Sequence, residues 1–392
     1  MRRLLWIGDA GCQSGFAKAT HFTLDVLREA FDVAVIGINY RGDPHTYPYP
    51  IFPAGIKGDP FGINRLDDVV ARFSPEVIVI QNDPWNIPRY MKRFGDQWPV
   101  IAALAVDGKN CRGRGLNGLT LAVFWTQFAL GEARAGGYAG HAAVVPLGVD
   151  LDLYQPQPKA EARLLLGLPS KFKSAFIVGN VNRNQLRKRL DLTIEYFAEW
   201  IRRTQITDAY LFLHVAPTGD DAHDCQQLAG YYGIANRLIY VEPEVFNGVD
   251  EVAMPRIYSA FDVQMTTTQG EGWGLTTMEG MACGVPQIVP QWAALGEWCG
   301  DAAVQIPCPT TCVTPNRINS IGGVPDREAT IAALDRLYRD RAFYDEHQQR
   351  GYDLVRRPEY RWRDIGEEFT AVVEQALNLP VELRKKKELV DA

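Results

Sequence analysis

Two successive series of short, uninterrupted apolar runs, separated by segments with helical spacing, constrain this chain more than any other feature. The first series reads LLWIG (4–8), VAVIGI (33–38), VIVIQ (77–81), VIAALAV (100–106) and LAVFWT (121–126). Runs with no polar alternation suit strands buried on both faces, the condition met in parallel sheets covered by helices. FAKATHFTLDVLREAF (16–31) and LDDVVARF (66–73) supply helical spacing between them. After VVPLGVDLDLYQPQPKAEA, whose Pro and Gly content suits a linker, the same grammar restarts. AFIVGNV (175–181), AYLFLHV (209–215), RLIYVE (237–242), FDVQMTT (261–267) and VPQIVP (285–290) form the second series, with LDLTIEYFAEWIRR (190–203) as its clearest helix. This order predicts an α/β protein with two Rossmann-like, doubly wound domains. They are expected over residues 1–150 and 151–358 and to face a central cleft, where open α/β sheets bind ligands. The amphipathic piece YRWRDIGEEFTAVVEQAL (360–377) lies in a third segment, 359–392, that is expected to pack back on the first domain and to end in a basic tail.

Length supports two cores: 392 residues, 46% hydrophobic and 22% charged, exceed what one core holds. No run approaches the eighteen apolar residues of a membrane span, and the initial apolar run stops at Asp9, too short for a secretory signal. Seven scattered cysteines suit a reducing compartment, so a cytoplasmic location is expected. A net charge of −6 argues against a nucleic-acid footprint over the whole surface. Two local basic stretches stand out: residues 171–189, and RKKK at 384–387, read as a solvated tail or as a contact for an acidic surface.

Three stretches carry chemistry. GDAGCQSGF (8–16) follows the first strand and opens a helix, where backbone N–H groups attract anions. It fits neither dinucleotide nor P-loop spacing, and Gly15 reads equally well as a residue that lets the chain turn tightly. NVNRNQLRKRLD (180–191) gathers Arg183, Arg187, Lys188 and Arg189 at a strand's carboxyl end, cations suited to phosphate. On a helix, positions 187 to 189 would fan out by about 100° each, so not all four can point one way. TTQGEGWGLTTMEGMACGVP (267–286) places two carboxylates, Glu271 and Glu279, on either side of seven intervening residues around a glycine-rich bend. Thr276 to Glu279 also spells a T-x-x-E capping box, so Glu279 has a purely structural reading, and Gly284 with Pro286 marks a helix stop. Glu271, set between glycines, has no packing purpose.

Taken together, EGWGLTTMEGMACGVP resembles the E-x7-E signature of retaining glycosyltransferases of the GT-B fold, particularly family 4 (glycosyltransferase group 1), with RNQLRKRLD similar to that family's Arg and Lys pair. The resemblance is sharpest over residues 175–300. It implies a hexosyltransferase that moves a sugar from a nucleotide diphosphate sugar, a UDP- or GDP-sugar, to a hydroxyl acceptor. No tightly bound cofactor is implied, and a metal is not essential. In that reading Arg183 and Lys188 bind the diphosphate, Glu271 holds the donor sugar's hydroxyls and Glu279 hydrogen-bonds the ribose. The backbone of Gly272, Trp273, Gly274 and Leu275 lines sugar and phosphate, helped by the helix dipole that begins near Thr276, and Gly15 sits near the phosphates or acceptor. Where many relatives have a histidine after a mid-domain strand, AVDGKN offers Asp107, which is either an acceptor or donor contact or the start of a turn with Gly108. His214 in LFLHV reads more readily as a near-core histidine than as a cleft residue.

Cys299, Cys308 and Cys312 lack the paired spacing of a zinc site. Asp220 and Asp221 read as a solvated loop rather than a metal-binding DxD. Acceptor identity stays open. YRGDPHTYPYPIFPAG (40–55) is expected to shape its pocket, nucleic acid enters only as a hydroxylated-base acceptor, and a non-catalytic sugar-nucleotide binding protein is the alternative outside enzymes.

Overall fold

A computed structural model describes residues 1–11, 14–94, 97–216, 223–241, 249–315 and 317–379. The chain divides into two compact units, Met1–Gly148 with Glu359–Ala392, and Val149–Pro358.

The first unit holds β1 (Arg2–Asp9), α1 (Gly15–Leu27), β2 (Phe31–Ile38), β3 (Ile51–Pro53), α2 (Leu66–Phe73), β4 (Val77–Asn82), α3 (Ile87–Phe94), β5 (Val100–Leu104), β6 (Leu121–Phe124), α4 (Gln127–Ala135) and β7 (Ala142–Val144). Its seven strands form one sheet in the order β3-β2-β1-β4-β5-β6-β7, every pair parallel. The apolar runs are buried along their length: Leu4, Leu5, Ile7, Val77, Ile78, Val79 and Ile80 have no exposed surface. Each such side chain taken from water contributes about 1.5–3 kcal/mol, which is why polar alternation is absent from these strands. The first helix is shorter than its apolar spacing suggests. Ser14 caps it, its hydroxyl accepting from the Ala17 amide at 3.0 Å, and Arg28 closes it. Phe31 therefore belongs to β2, opposite Arg2, and not to the helix.

The second unit holds α5 (Lys159–Leu165), β8 (Phe176–Arg183), α6 (Leu190–Thr204), β9 (Ala209–Ala216), α7 (Cys225–Tyr231), β10 (Leu238–Val241), α8 (Met254–Ser259), β11 (Val263–Met265), α9 (Leu275–Ala282), β12 (Gln287–Pro290), α10 (Ala293–Trp298), β13 (Val304–Ile306), β14 (Thr310–Val313), β15 (Ile321–Val324), α11 (Arg327–Arg339) and α12 (Arg341–Leu354). Six strands form a parallel sheet ordered β10-β9-β8-β11-β12-β13. β14 and β15 stand apart as an antiparallel hairpin that follows the carboxyl end of β13.

α13 (Trp362–Asn378) returns to the first unit and packs on α1. Trp362 stacks on Phe22 with centroids 5.1 Å apart, and Phe369 meets Trp6 at 5.6 Å. Gly366 sits against α1: a Cβ there would lie 2.4 Å from Val26, so the helices approach closely only because that side chain is missing. The RKKK stretch lies outside the described residues, as do Asp220 and Asp221.

Candidate active site

Both basic and acidic stretches of the second unit fall at the carboxyl edge of its sheet. β8 ends at Arg183, and the chain makes a single tight turn over Leu186–Lys188 before Arg189 takes left-handed angles, φ 49° and ψ 48°. That left-handed residue breaks any helical continuity with α6, so positions 187 to 189 do not fan out around a helix. Arg189 turns aside to Asp191, at 2.8 Å, while Arg187 and Lys188 both reach the segment that follows β11. Turn and segment are joined through backbone and hydroxyl groups. The Gln269 amide donates to the Arg187 carbonyl at 2.9 Å, the Thr267 hydroxyl to the Arg189 carbonyl at 2.6 Å, and Thr267 meets Thr193 at 2.6 Å. Asn180 donates to Thr193 at 3.0 Å, which ties the strand end into the same buried network.

Glu271 is the centre of this arrangement. Lys188 Nζ lies 2.5 Å from Oε1, and Arg187 Nη1 lies 3.2 Å from Oε2 and 2.5 Å from the Gly270 carbonyl oxygen. Burial alone would push the Glu271 carboxyl up, but the Lys188 and Arg187 charges beside it outweigh burial and hold it down at about 2. Both cations thus converge on one carboxylate. Arg183, exposed at the end of β8, is not part of this ion pair; Arg187 makes it instead.

The glycine-rich bend places backbone rather than side chains at the surface of the site. Trp273 is 3% exposed and stacks on Trp298 at 5.3 Å, while the Trp298 indole donates to the Trp273 carbonyl at 2.7 Å. Gly272 is buried, and Leu275 and Thr276, half-buried, form the first turn of α9. Gly274 caps that helix with φ 96°, and a Cβ there would lie 2.6 Å from Leu295, so both conformation and space require glycine. The capping box expected at Thr276 and Glu279 does not form. Gly274 takes the cap position with no side-chain hydrogen bond, Thr276 lies inside the helix, and Glu279 accepts instead from the Tyr258 hydroxyl at 2.6 Å. Tyr154 stands in the same pocket, its phenol pushed well up by burial and by the Glu279 charge. The helix stop does form: Gly284, φ 72°, donates to the Met281 carbonyl at 2.9 Å.

In the first unit, Gly15 is the exposed first residue of α1. The close backbone approach falls on Gly11, where a Cβ would lie 2.3 Å from the Tyr40 backbone. Asp9 gathers that loop, accepting from Ser14 Oγ at 2.6 Å and Asn39 Nδ2 at 3.3 Å. Asp107 follows β5, half-buried beside the buried Gly108. In the 40–55 stretch Tyr47 lies flat on His21, with centroids 3.6 Å apart and planes within 4°. His214 lies on β9 between Val181 and Val241, and burial lowers its pKa to about 4. Cys299 is buried and its thiol pushed well up; burial pushes Cys308 up to about 12; Cys312 donates to Gln269. Among the described residues no three His, Cys, Asp or Glu side chains gather as a metal site, and no helix is long and apolar enough to cross a membrane.

Residues 173–340 match the model of the family "Glycosyl transferases group 1". The matched residues lie within the second unit. Among curated relatives, the chain is 33% identical over 158 residues to a D-inositol 3-phosphate glycosyltransferase of Geodermatophilus obscurus, covering 39% of this chain and 33% of that one. The corresponding protein of Rhodococcus jostii is 28% identical over 195 residues, covering 48% and 41%. The chain thus spans about a third of the length of the first of these relatives. Structural likeness runs over nearly the whole chain. Sucrose-phosphate synthase from Thermosynechococcus elongatus superposes with a TM-score of 0.77 over 96% of this chain and 99% of its own, at 18% identity. HepE of Anabaena in complex with UDP and glucose gives 0.69 over 96% and 100%, at 14% identity. Both units therefore have the Rossmann-like folds of GT-B proteins.

The lowered pKa of Glu271 has a measurable consequence. An ionised carboxyl whose folded pKa lies below its unfolded value stabilises the fold above about pH 4.5, and that contribution is lost as pH falls toward about 2. Urea melts of wild type and Glu271→Gln between pH 6 and 3 are expected to converge as pH falls, the wild type losing more stability than the variant. Parallel pH dependences would show that the Lys188 and Arg187 pairings do not hold the carboxyl down.

Proposed function

We propose that the protein is a retaining glycosyltransferase of family 4 type, which transfers a hexose from a nucleotide diphosphate sugar to a hydroxyl acceptor. The observation that carries this reading is the cluster of Lys188, Arg187 and Glu271 beside the glycine bend that opens α9. Lys188 and Arg183 bind the diphosphate, Glu271 holds the sugar's hydroxyls, Glu279 meets the ribose, and the amides of Gly272 to Leu275 line sugar and phosphate. Gly15 and Asp107 belong to the acceptor side of the reaction. UDP-sugars are the first donors to consider, because solved structures of like fold carry UDP with glucose and UDP-2-fluoro glucose.

The chemistry explains the residue types. A bond forms between the acceptor oxygen and the anomeric carbon as the bond from that carbon to the phosphate oxygen breaks. The nucleoside diphosphate leaves with the electron pair, and the acceptor's proton passes to a phosphate oxygen on the same face, which retains configuration. Negative charge grows on the phosphate, so cations already fixed there favour the transition state over the ground state. An inverse demand falls on Glu271. Its two cations keep it ionised and aimed, so that it accepts from hydroxyls without taking up their protons.

A thermal shift screen with UDP, GDP and ADP and their sugars tests the reading. A ligand at a hundred times its Kd stabilises the folded state by about 2.7 kcal/mol. For a unit of this size each kcal/mol raises Tm by roughly 2–4 °C. One nucleotide is expected to stand out by several degrees; no shift with any of them at millimolar concentration would refute the proposal.

A further inference from the structure

The hairpin β14–β15 interrupts an otherwise parallel α/β pattern at the carboxyl edge of the second unit's sheet, and three of its β14 residues, Thr310, Thr311 and Val313, are exposed. A two-stranded hairpin is marginally stable alone, so something must order it. Its anchor is Gln269, a 6%-exposed residue two positions before Glu271. The Gly323 amide donates to the Gln269 carbonyl at 2.8 Å, Gln269 Nε2 donates to Thr314 Oγ1 at 2.7 Å, and Cys312 Sγ donates to Gln269 Oε1 at 2.9 Å. The hairpin backbone lies flat on this residue and on Trp292. A Cβ at Gly322 would be 2.7 Å from Gln269, one at Gly323 would be 2.7 Å from the Trp292 ring, and the Trp292 indole donates to the Ile321 carbonyl at 3.3 Å.

On its other side Gln269 faces the site. Its amide donates to the Arg187 carbonyl at 2.9 Å, and the next residue's carbonyl oxygen, that of Gly270, accepts from Arg187 Nη1 at 2.5 Å and Thr268 Oγ1 at 3.0 Å. Glycines on both sides leave the backbone that carries Glu271 free to shift unless a neighbour fixes it. The hairpin clamps the residue from which Gly270 and Glu271 continue.

We propose that β14–β15 is a buttress for the donor site and that Gln269 is a positioning residue, setting where Glu271 sits against Lys188 and Arg187. This rests on the reading of Glu271 and Lys188 as donor-binding groups. Diphosphate binding depends on cations carried by the turn after β8, whereas the aim of Glu271 depends on the clamp. Loosening the clamp therefore lowers turnover more than donor affinity.

The test is Gln269→Ala, with Gln269→Glu as the conservative variant: a glutamate of the same length still accepts from the Cys312 thiol, and the Thr314 hydroxyl, which accepts from Gln269 Nε2 in wild type, turns to donate to it. In Gln269→Ala, kcat for donor hydrolysis or transfer is expected to fall on the order of tenfold or more, as misplacing a reacting geometry by a fraction of an ångström does. Donor KM stays within about threefold, and Gln269→Glu recovers most of kcat. A purely structural role would lower Tm and leave kcat intact below the melting range. Amide hydrogen exchange over residues 270–274 is measured alongside, without nucleotide, so the buttress is read even if the chain turns over no donor. Faster exchange in Gln269→Ala than in wild type supports it; unchanged exchange, or wild-type kcat in a folded Gln269→Ala, overturns it. A wild type that neither binds nor hydrolyses any donor refutes the functional proposal alone.

Discussion

Replacing Lys188 with alanine is expected to slow donor hydrolysis or sugar transfer by on the order of 100-fold or more, the effect of removing one preorganised group from a developing charge. Its ammonium is 2.5 Å from Glu271, and its side chain is only 12% exposed. A charge so placed is already desolvated and oriented before substrate arrives, so no reorganisation is needed as the phosphate gains charge. Glu271→Gln should fall by a similar factor for the complementary reason. It keeps shape and one acceptor oxygen but removes the carboxylate charge that orients Lys188 and Arg187 and that accepts from the sugar's hydroxyls. Steady-state turnover, with circular dichroism as a check on folding, measures both. Full activity in the two variants would refute the assignment of this cluster to the donor.

How much of that cluster the sequence displays depends on the residue. Gly and charge are conspicuous, so EGWG and RKR mark the region unaided. Which cation meets the acid is not visible, because it depends on Arg189 adopting a left-handed backbone with no glycine to signal it. That conformation ends the tight turn, sends Arg189 to Asp191 and leaves Arg187 and Lys188 together on Glu271. Glu279 fails in the opposite direction. A local capping signature exists, but Gly274, held at φ 96° by close packing on Leu295, occupies the cap, and the carboxyl turns to Tyr258 across the unit. Tyr258 is twenty-one positions away and carries no pattern that would single it out.

The fold follows the same division. β4 and β8 are legible since both faces are buried and each opens on an apolar run, VIVI and FIV. β3 and β7, three residues each at the two edges of a sheet, are too short for any period to emerge. The hairpin residues TTCV and IGGV lack an apolar run because they pack on one glutamine and one tryptophan rather than in a core.

The largest stability effect lies at the amino end of the strands that carry the site. Arg163 on α5 is 2% exposed, yet it donates to the carbonyls of Ala260 (2.9 Å), Phe172 (2.9 Å), Lys173 (3.2 Å) and Ala175 (2.9 Å) and to Asp262 Oδ2 at 2.7 Å. Asp262 in turn accepts from the Ile177 amide at 2.7 Å, so this one guanidinium fixes the starts of β8 and β11 together. Arg163→Met fills comparable volume while leaving four carbonyls and a carboxylate short of a donor. Removing one partner of a buried pair costs about 3–5 kcal/mol; Lys159, 2.5 Å from Asp262, offsets part of that while the four carbonyls left short add to it, and for a unit of this size Tm falls by on the order of 10 °C. Lysine cannot substitute, since one ammonium cannot span acceptors set in so many directions. β8 runs from Ile177, beside Asp262, to Arg183 at the site, so the same strand separates the two roles by its own length. At temperatures where both variants remain folded, the donor KM of Arg163→Met should match wild type, whereas Lys188→Ala should turn over poorly. A loss below 1 kcal/mol in a urea titration of Arg163→Met would show that the carbonyl cage finds other donors and that Arg163 does not organise the strand ends.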